Sequence, residues 1–325
     1  MQDKFCRNID YLRISVTDRC NYRCIYCMPA EGIEQKSHEE MLTLEEIIRT
    51  AANFAQLGIK RIRLTGGEPL VRKDIVSLVR RLEEIPNIDD ISLTTNGLLL
   101  PKYAYDLQAA GLRRVNISLD SLQPERFHAI TRIGNLADVL RAIDIGLEVG
   151  FSPLKINVVL SRGVNDDELF DFVELARARA VHVRFIELMP IGESDGKALD
   201  QFIPVSEIKL RLAEKYDFSA VADMFGGGPA NYLQIPGFKG TIGLISALSN
   251  HFCSECNRMR LTADGKLRPC LYGETEYDLR EKLRANISDE ELQVYLRTVL
   301  LAKPERHQME AGWGNQPRSM SQIGG

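Results

Sequence analysis

The chain has 325 residues, 44% of them apolar and 26% charged, with a formal net charge of −4. That composition suits a folded protein with a sizeable buried core. The mild acidity speaks against broad affinity for nucleic-acid polymers, so any anionic ligand has to be met by locally gathered cations.

In chain order, β-branched runs alternate with longer amphipathic stretches. Strands are predicted at 11–17, 60–66, 90–96, 113–120, 154–160 and 181–188, and helices at 43–58, 72–85, 102–111, 136–150 and 166–179. Thr43 is the expected N-cap of the first helix and Gly58 its stop. Strand and helix alternating six times implies parallel strands with right-handed crossovers, in an open sheet or a full or partial barrel. Chemistry in such folds sits at the carboxyl ends of the strands, which draws attention to "TDRC", "TGGEP", "TTNG" and "SLDS" after the first four. Each taken alone could equally be an ordinary turn. After about residue 218 the rhythm breaks at "MFGGGPANYLQIPGFKG", and a smaller, irregular module is expected over 219–325 beside a main unit at 1–218. The last stretch, "GWGNQPRSMSQIGG", reads by composition as a flexible tail. The first residues lack a basic then apolar leader, and no run of about 18 apolar residues occurs, so a soluble, cytoplasmic protein is expected.

Cysteines in a reducing compartment point to metal or redox work more than to disulfides. Six of the seven fall into two groups, Cys20, Cys24 and Cys27 in "CNYRCIYC" and Cys253, Cys256 and Cys270 in C-x2-C-x13-C; Cys6 stands alone and is assigned a structural role. A [4Fe-4S] cube normally takes four cysteines, so three leave one iron open for a ligand. Structural zinc with a distant fourth ligand is the alternative at each group, with His251 the nearest substitute at the second. Arg258 and Arg260, two apart, share one face of an extended segment; a solvated basic edge would look the same. Arg184 and Met189 in "RFIELMP" fall at the end of the sixth strand.

"CNYRCIYC" resembles the signature of the radical S-adenosylmethionine superfamily, and "GGEP" at residues 66–69 its second motif, which implies a partial (β/α)6 TIM-like barrel. "CNRMRLTADGKLRPC", together with "LRISVTDRCNYRCIYCMP", "IRLTGGEPL", "TTNG", "NISLDSL", "KINVV", "RFIELMP" and the terminal "GG", is similar to the GTP 3',8-cyclase family over nearly the whole chain. The resemblance implies two [4Fe-4S] clusters on the two cysteine groups. It implies S-adenosylmethionine contacts from Tyr26, Gly67, Ser118 and Met189, and GTP contacts from Arg13, Arg63, Thr94, Lys155, Arg258 and Arg260. Catalytic roles fall to Arg258, Arg260 and the tail glycines Gly324 and Gly325. Arg61 stands where the family often has lysine, and the two are not interchangeable; its role, like that of His251, stays open.

The reaction so implied is reductive cleavage of S-adenosylmethionine to a 5'-deoxyadenosyl radical, hydrogen abstraction from ribose C3' of GTP, and attack of that carbon on guanine C8. The product is (8S)-3',8-cyclo-7,8-dihydroguanosine 5'-triphosphate, the first step towards the molybdenum cofactor. Expected partners are GTP, an electron donor, the downstream cyclic pyranopterin monophosphate synthase and a second copy of the chain, with no membrane and no nucleic-acid polymer. Competing readings are a peptide-modifying radical enzyme with auxiliary clusters, which usually carries more C-terminal cysteines, and a non-catalytic zinc or iron module.

Overall fold

The computed structural model describes residues 1–191, 200–221, 226–307 and 318–324. Six strands, β1 (Tyr11–Ser15), β2 (Arg61–Thr65), β3 (Asp90–Thr95), β4 (Arg114–Ser118), β5 (Leu154–Leu160) and β6 (Val181–Glu187), pair in sequence order, all parallel. Between them run α1 (Leu44–Gln56), α2 (Ile75–Glu83), α3 (Leu100–Ala109), α4 (Pro124–Thr131), α5 (Leu136–Val149) and α6 (Leu169–Ala178). Thr43 caps α1 as its sequence indicates: its hydroxyl accepts from Glu46 N at 3.2 Å, and Glu46 reaches back to Thr43 N at 2.8 Å. Gly58, at φ +98°, turns the chain away after the helix.

After α7 (Val205–Ala213) come β7 (Ser219–Val221), β8 (Asn231–Gln234), β9 (Thr241–Ile245), β10 (Arg258–Leu261), β11 (Lys266–Arg268) and β12 (Tyr277–Asp278), then α8 (Leu279–Arg284), α9 (Asp289–Leu301) and α10 (Met320–Ile323). This half does not stand apart from the sheet. β9 pairs in parallel with β6 at one edge, and β10 in parallel with β1 at the other. The C-terminal strands thus extend the six-stranded core at both ends, and β9 and β10 are not neighbours, so the barrel stays open. Such pairing joins residues far apart in sequence, which local periodicity cannot report.

Strand alternation divides the residues by chemistry. Leu12, Ile14, Ile62, Leu64, Ile91, Leu93, Val115, Ile117, Ile156 and Val183 join one hydrophobic core with the apolar faces of the helices. The intervening positions carry Arg13, Arg63, Ser92, Asn116, Asn157 and Arg184. The register sets Arg260, Arg13, Arg63 and Ser92 side by side across four strands, and Asn157 beside Arg184. A parallel sheet covered on both faces is normally apolar on both; here the concave face is polar and encloses a cavity.

Candidate functional site

All six grouped cysteines line one cavity, together with Arg13, Arg63, Thr94, Ser118, Arg184, Met189, Arg258, Arg260 and Lys303. The charge balance there is one-sided. Among the described residues, six cations (Arg13, Arg63, Arg184, Arg258, Arg260 and Lys303) face it with one carboxylate, Asp120. Burial, then the charge of Arg258, brings Arg260 down to about 9. Burial likewise brings Arg63 to about 10, and Arg13 falls well below its ordinary value through burial and its neighbours Arg260 and Arg63. A polyanion relieves that mutual repulsion, and guanidinium forks suit phosphate oxygens. The Thr94 hydroxyl is buried without a hydrogen-bond partner among the described residues, a donor aimed at something other than protein.

The first cysteine group lies on the loop after β1. Cys20 Sγ accepts from Tyr22 N at 3.4 Å and from Asn96 Nδ2 at 3.9 Å. Burial pushes the Cys20 thiol up to about 11 and Cys27 to about 12; Cys24 is raised well above its usual range by burial and by the nearby Cys27. Three half-buried thiols that disfavour one another's ionisation are compatible as thiolates once a cationic iron centre joins them, so the donor set fits an iron-sulfur cluster.

Gly66 and Gly67 brace this loop. Gly67 N donates to Thr17 O and Glu68 N to Arg19 O, each at 2.8 Å. A Cβ on Gly67 would stand 2.7 Å from the Asp18 carbonyl oxygen, closer than real Cβ contacts. Since its N–H is used, the Gly67 carbonyl is the backbone group with the right polarity for an amino group. Glu68, fully buried, ties the motif to the end of β3 by accepting from Thr95 Oγ1 at 2.8 Å and Asn96 N at 2.7 Å. The Tyr26 hydroxyl donates to Asp120 at 2.6 Å, and Ser118 ends β4 on the cavity wall.

At the second group, burial is opposed by cations. Although burial raises the Cys256 thiol, Arg258 and Lys303 outweigh it and bring it down to about 6. Arg258 Nη2 lies 3.6 Å from Cys256 Sγ. Arg260 Nη1 donates to Gly324 O at 2.8 Å and more weakly to Ile323 O at 3.4 Å.

Over its described part, the tail corrects the reading drawn from its composition. Residues 318–324 are built into the site: Arg318 pairs with Asp264 at 3.0 Å, Ile323 is buried against Met189, Tyr272 and Met320, and Ser321 hydrogen-bonds to Cys27. Polar composition signals disorder only when no cavity waits for the segment. Gly324 takes φ +69° with Thr65 against its Cα, a place that suits glycine. Residues 312–317 and Gly325 lie outside the described residues.

Other expected residues sit elsewhere. Lys155 is buried with its Nζ 5.6 Å from the Tyr232 ring and is not among the lining residues. Arg61 pairs with Asp10 at 3.2 Å at the start of β2. His251 packs edge-on against His307 and is not on the wall, and Cys6 is an exposed thiol. Sequence reasoning passed over Asn116 and Asn157, which hold Arg184: Nη2 donates to Asn116 Oδ1 at 2.7 Å and Nε to Asn157 Oδ1 at 2.9 Å. It also passed over Glu187, whose carboxylate gathers Val205 N at 2.9 Å, Leu248 N at 2.7 Å and Ser249 N at 3.0 Å. The polar alternation in "RVNIS" and "LKINVVL" carried the first of these signals.

An open parallel barrel with three thiols on the loop after its first strand agrees with the resemblance to the radical S-adenosylmethionine enzymes. The profile described as Radical SAM superfamily matches residues 14–176, and that described as Molybdenum Cofactor Synthesis C matches residues 181–309. Among solved structures, Streptococcus suis SuiB bound to S-adenosylmethionine shares the fold, with a TM-score of 0.62 and 15% identity over 93% of this chain and 73% of SuiB. The chain is therefore a radical S-adenosylmethionine enzyme, and that cofactor and a [4Fe-4S] cluster come with the class. The GTP 3',8-cyclase of Moorella thermoacetica is 53% identical over 325 residues and that of Heliobacterium modesticaldum 53% over 327, each covering 100% of both chains. At that identity over the full length, the chain belongs to the GTP 3',8-cyclase family.

Proposed function

We propose that this protein converts GTP to (8S)-3',8-cyclo-7,8-dihydroguanosine 5'-triphosphate, the first step of molybdenum cofactor biosynthesis. The observation that carries the reading is the meeting of both cysteine groups and a surplus of five cations on one cavity wall, in a chain about half identical to named GTP 3',8-cyclases over its full length.

Cys20, Cys24 and Cys27 would hold the first cluster, and Tyr26, Gly67, Ser118 and Met189 would hold S-adenosylmethionine against it. Cluster and cofactor together supply one-electron cleavage of a sulfonium and hence a hydrogen-abstracting radical. Cys253, Cys256 and Cys270 would hold a second [4Fe-4S] cluster with one iron left for the purine. Of the residues expected to bind GTP, the cavity-lining Arg13, Arg63, Thr94, Arg258 and Arg260 would do so, and Lys155, set back from the wall, would not touch it directly; the buried guanidinium groups neutralise the triphosphate without a solvent shell, since their mutual repulsion is already present before binding. Arg258 and Arg260 then orient the nucleotide between the two cysteine groups. Arg260 also keeps Gly324 at the reacting end. In this division residues 1–218 carry the radical source and 219–325 the substrate cluster. The protein would act in the cytoplasm as a homodimer, take electrons from a donor and pass its product to cyclic pyranopterin monophosphate synthase.

The test is anaerobic incubation of reconstituted protein with S-adenosylmethionine, dithionite and each nucleoside triphosphate in turn. The expected result is 5'-deoxyadenosine with a cyclised product from GTP; no such product from GTP overturns the substrate assignment.

A further inference from the structure

Lys303 is 2% exposed and follows the end of α9. Its Nζ donates to Arg258 O at 2.8 Å and to Pro269 O at 2.6 Å. Arg258 is two residues after Cys256 and Pro269 immediately precedes Cys270, so one ammonium fixes the backbone beside both thiols. Its charge acts on the neighbouring Cys256 thiol, which it helps to lower.

The residues that follow serve the third cysteine. His307 N–H meets Cys253 Sγ. Arg7, held by Asp3 at 2.7 Å, donates through Nη1 to Cys253 O and Glu305 O, each at 2.8 Å, and through Nη2 to Pro304 O at 2.7 Å. The segment 303–307 thus touches every strand of backbone that presents a thiol of the second group, and Arg7 pins it from behind.

We propose that Lys303 is a positioning residue for the second cysteine group, supplying a fixed buried counter-charge beside Cys256 as well as the backbone clamp. This rests on the two-cluster reading above. A cation within a few ångströms of a cluster favours its reduced form, because reduction adds negative charge in a medium that screens weakly. A lysine that merely tied two loops together would leave the electronic properties of the cluster alone.

The experiment is a dye-mediated redox titration of the full-length, reconstituted protein followed by electron paramagnetic resonance, with iron counted per chain. The signal absent from Cys256→Ser identifies the second cluster. Lys303→Met keeps the apolar stem and removes the charge. With about eight irons retained, it is expected to disfavour the reduced second cluster at least tenfold, a midpoint lower by about 59 mV, while the first cluster's midpoint stays put; Lys303→Arg should recover most of the difference. An unchanged second midpoint in Lys303→Met overturns the proposal and leaves the two-cluster reading standing. Loss of the second cluster from Lys303→Met but not from Lys303→Arg supports the role, and loss from both overturns charge as its basis. If Lys303→Met is insoluble, Lys303→Gln carries the same expectation. About four irons in the unaltered protein, with no signal sensitive to Cys256→Ser, overturns the two-cluster reading and the proposal together.

Discussion

Gly67→Ala tests whether the glycine pair works by letting the cysteine loop lie against it. The added methyl would stand 2.7 Å from the Asp18 carbonyl oxygen, and nearer still to that of Arg19, where ordinary contact begins at 3.4 Å. Something has to move by at least about 0.7 Å, and the obstacle is backbone, which cannot swing aside as a side-chain tip does. The loop that yields carries Cys20, the first residue after Arg19, and is held by the Gly67–Thr17 and Glu68–Arg19 hydrogen bonds at 2.8 Å. Weakening both costs about 1–3 kcal/mol of stability. The larger effect is on chemistry, since a misplacement approaching 1 Å costs up to about 100-fold in rate. Formation of 5'-deoxyadenosine from S-adenosylmethionine and dithionite should fall by one to two orders of magnitude while the iron content of the C-terminal group is kept. Cleavage at the unaltered rate in soluble Gly67→Ala would refute the argument from close approach.

Cys24→Ser should abolish 5'-deoxyadenosine formation, whereas Cys256→Ser should suppress GTP turnover with the first cluster still assembled; complete loss of iron from both groups in Cys256→Ser would count against independent clusters. Arg260→Gln removes the charged donor to Gly324 O, and cyclised product should drop at least about 100-fold, with mass spectrometry of the nucleotide pool as the readout. Deleting Gly324 and Gly325 should have a similar effect, and an unchanged yield of product removes any catalytic role for the tail. For stability against pH, Glu68 is the group to follow: burial pushes its carboxyl from 4.5 to about 7 in spite of the hydrogen bonds it accepts. A raised folded value means the folded state holds the proton more tightly, so its contribution is present below pH 4.5 and is lost as pH rises towards 7, at most ~3 kcal/mol. Thermal unfolding from pH 5 to 8 should show this decline in the unaltered protein and a flatter profile in Glu68→Gln.

Much of this protein is written locally. The alternation of "YLRIS", "RIRLT" and "RVNIS" with amphipathic stretches specifies β1 to β6 and five of the six helices between them, α4 being too short for its period to stand out, because strand and helix periods depend on near neighbours alone. Thr43 with Glu46 marks the start of α1 for the same reason. The cysteine spacing in "CNYRCIYC" is also local, since a single loop brings those thiols together. What a one-dimensional reading could not decide is everything that depends on which distant segments meet. The edge positions of β9 and β10 bring Cys253, Cys256 and Cys270 onto the same cavity as Cys20, Cys24 and Cys27. Residues 318–324, polar and glycine-ended, find their place because Arg260 and the Met189–Tyr272 cluster receive them. Lys303, one lysine among many in the sequence, becomes a buried charge because α9 ends beside both Arg258 and Pro269. The sequence by itself determined the elements and the chemical inventory. Only the tertiary structure decided which thiols, cations and carbonyls share a space, because burial and charge coupling are properties of neighbours in three dimensions.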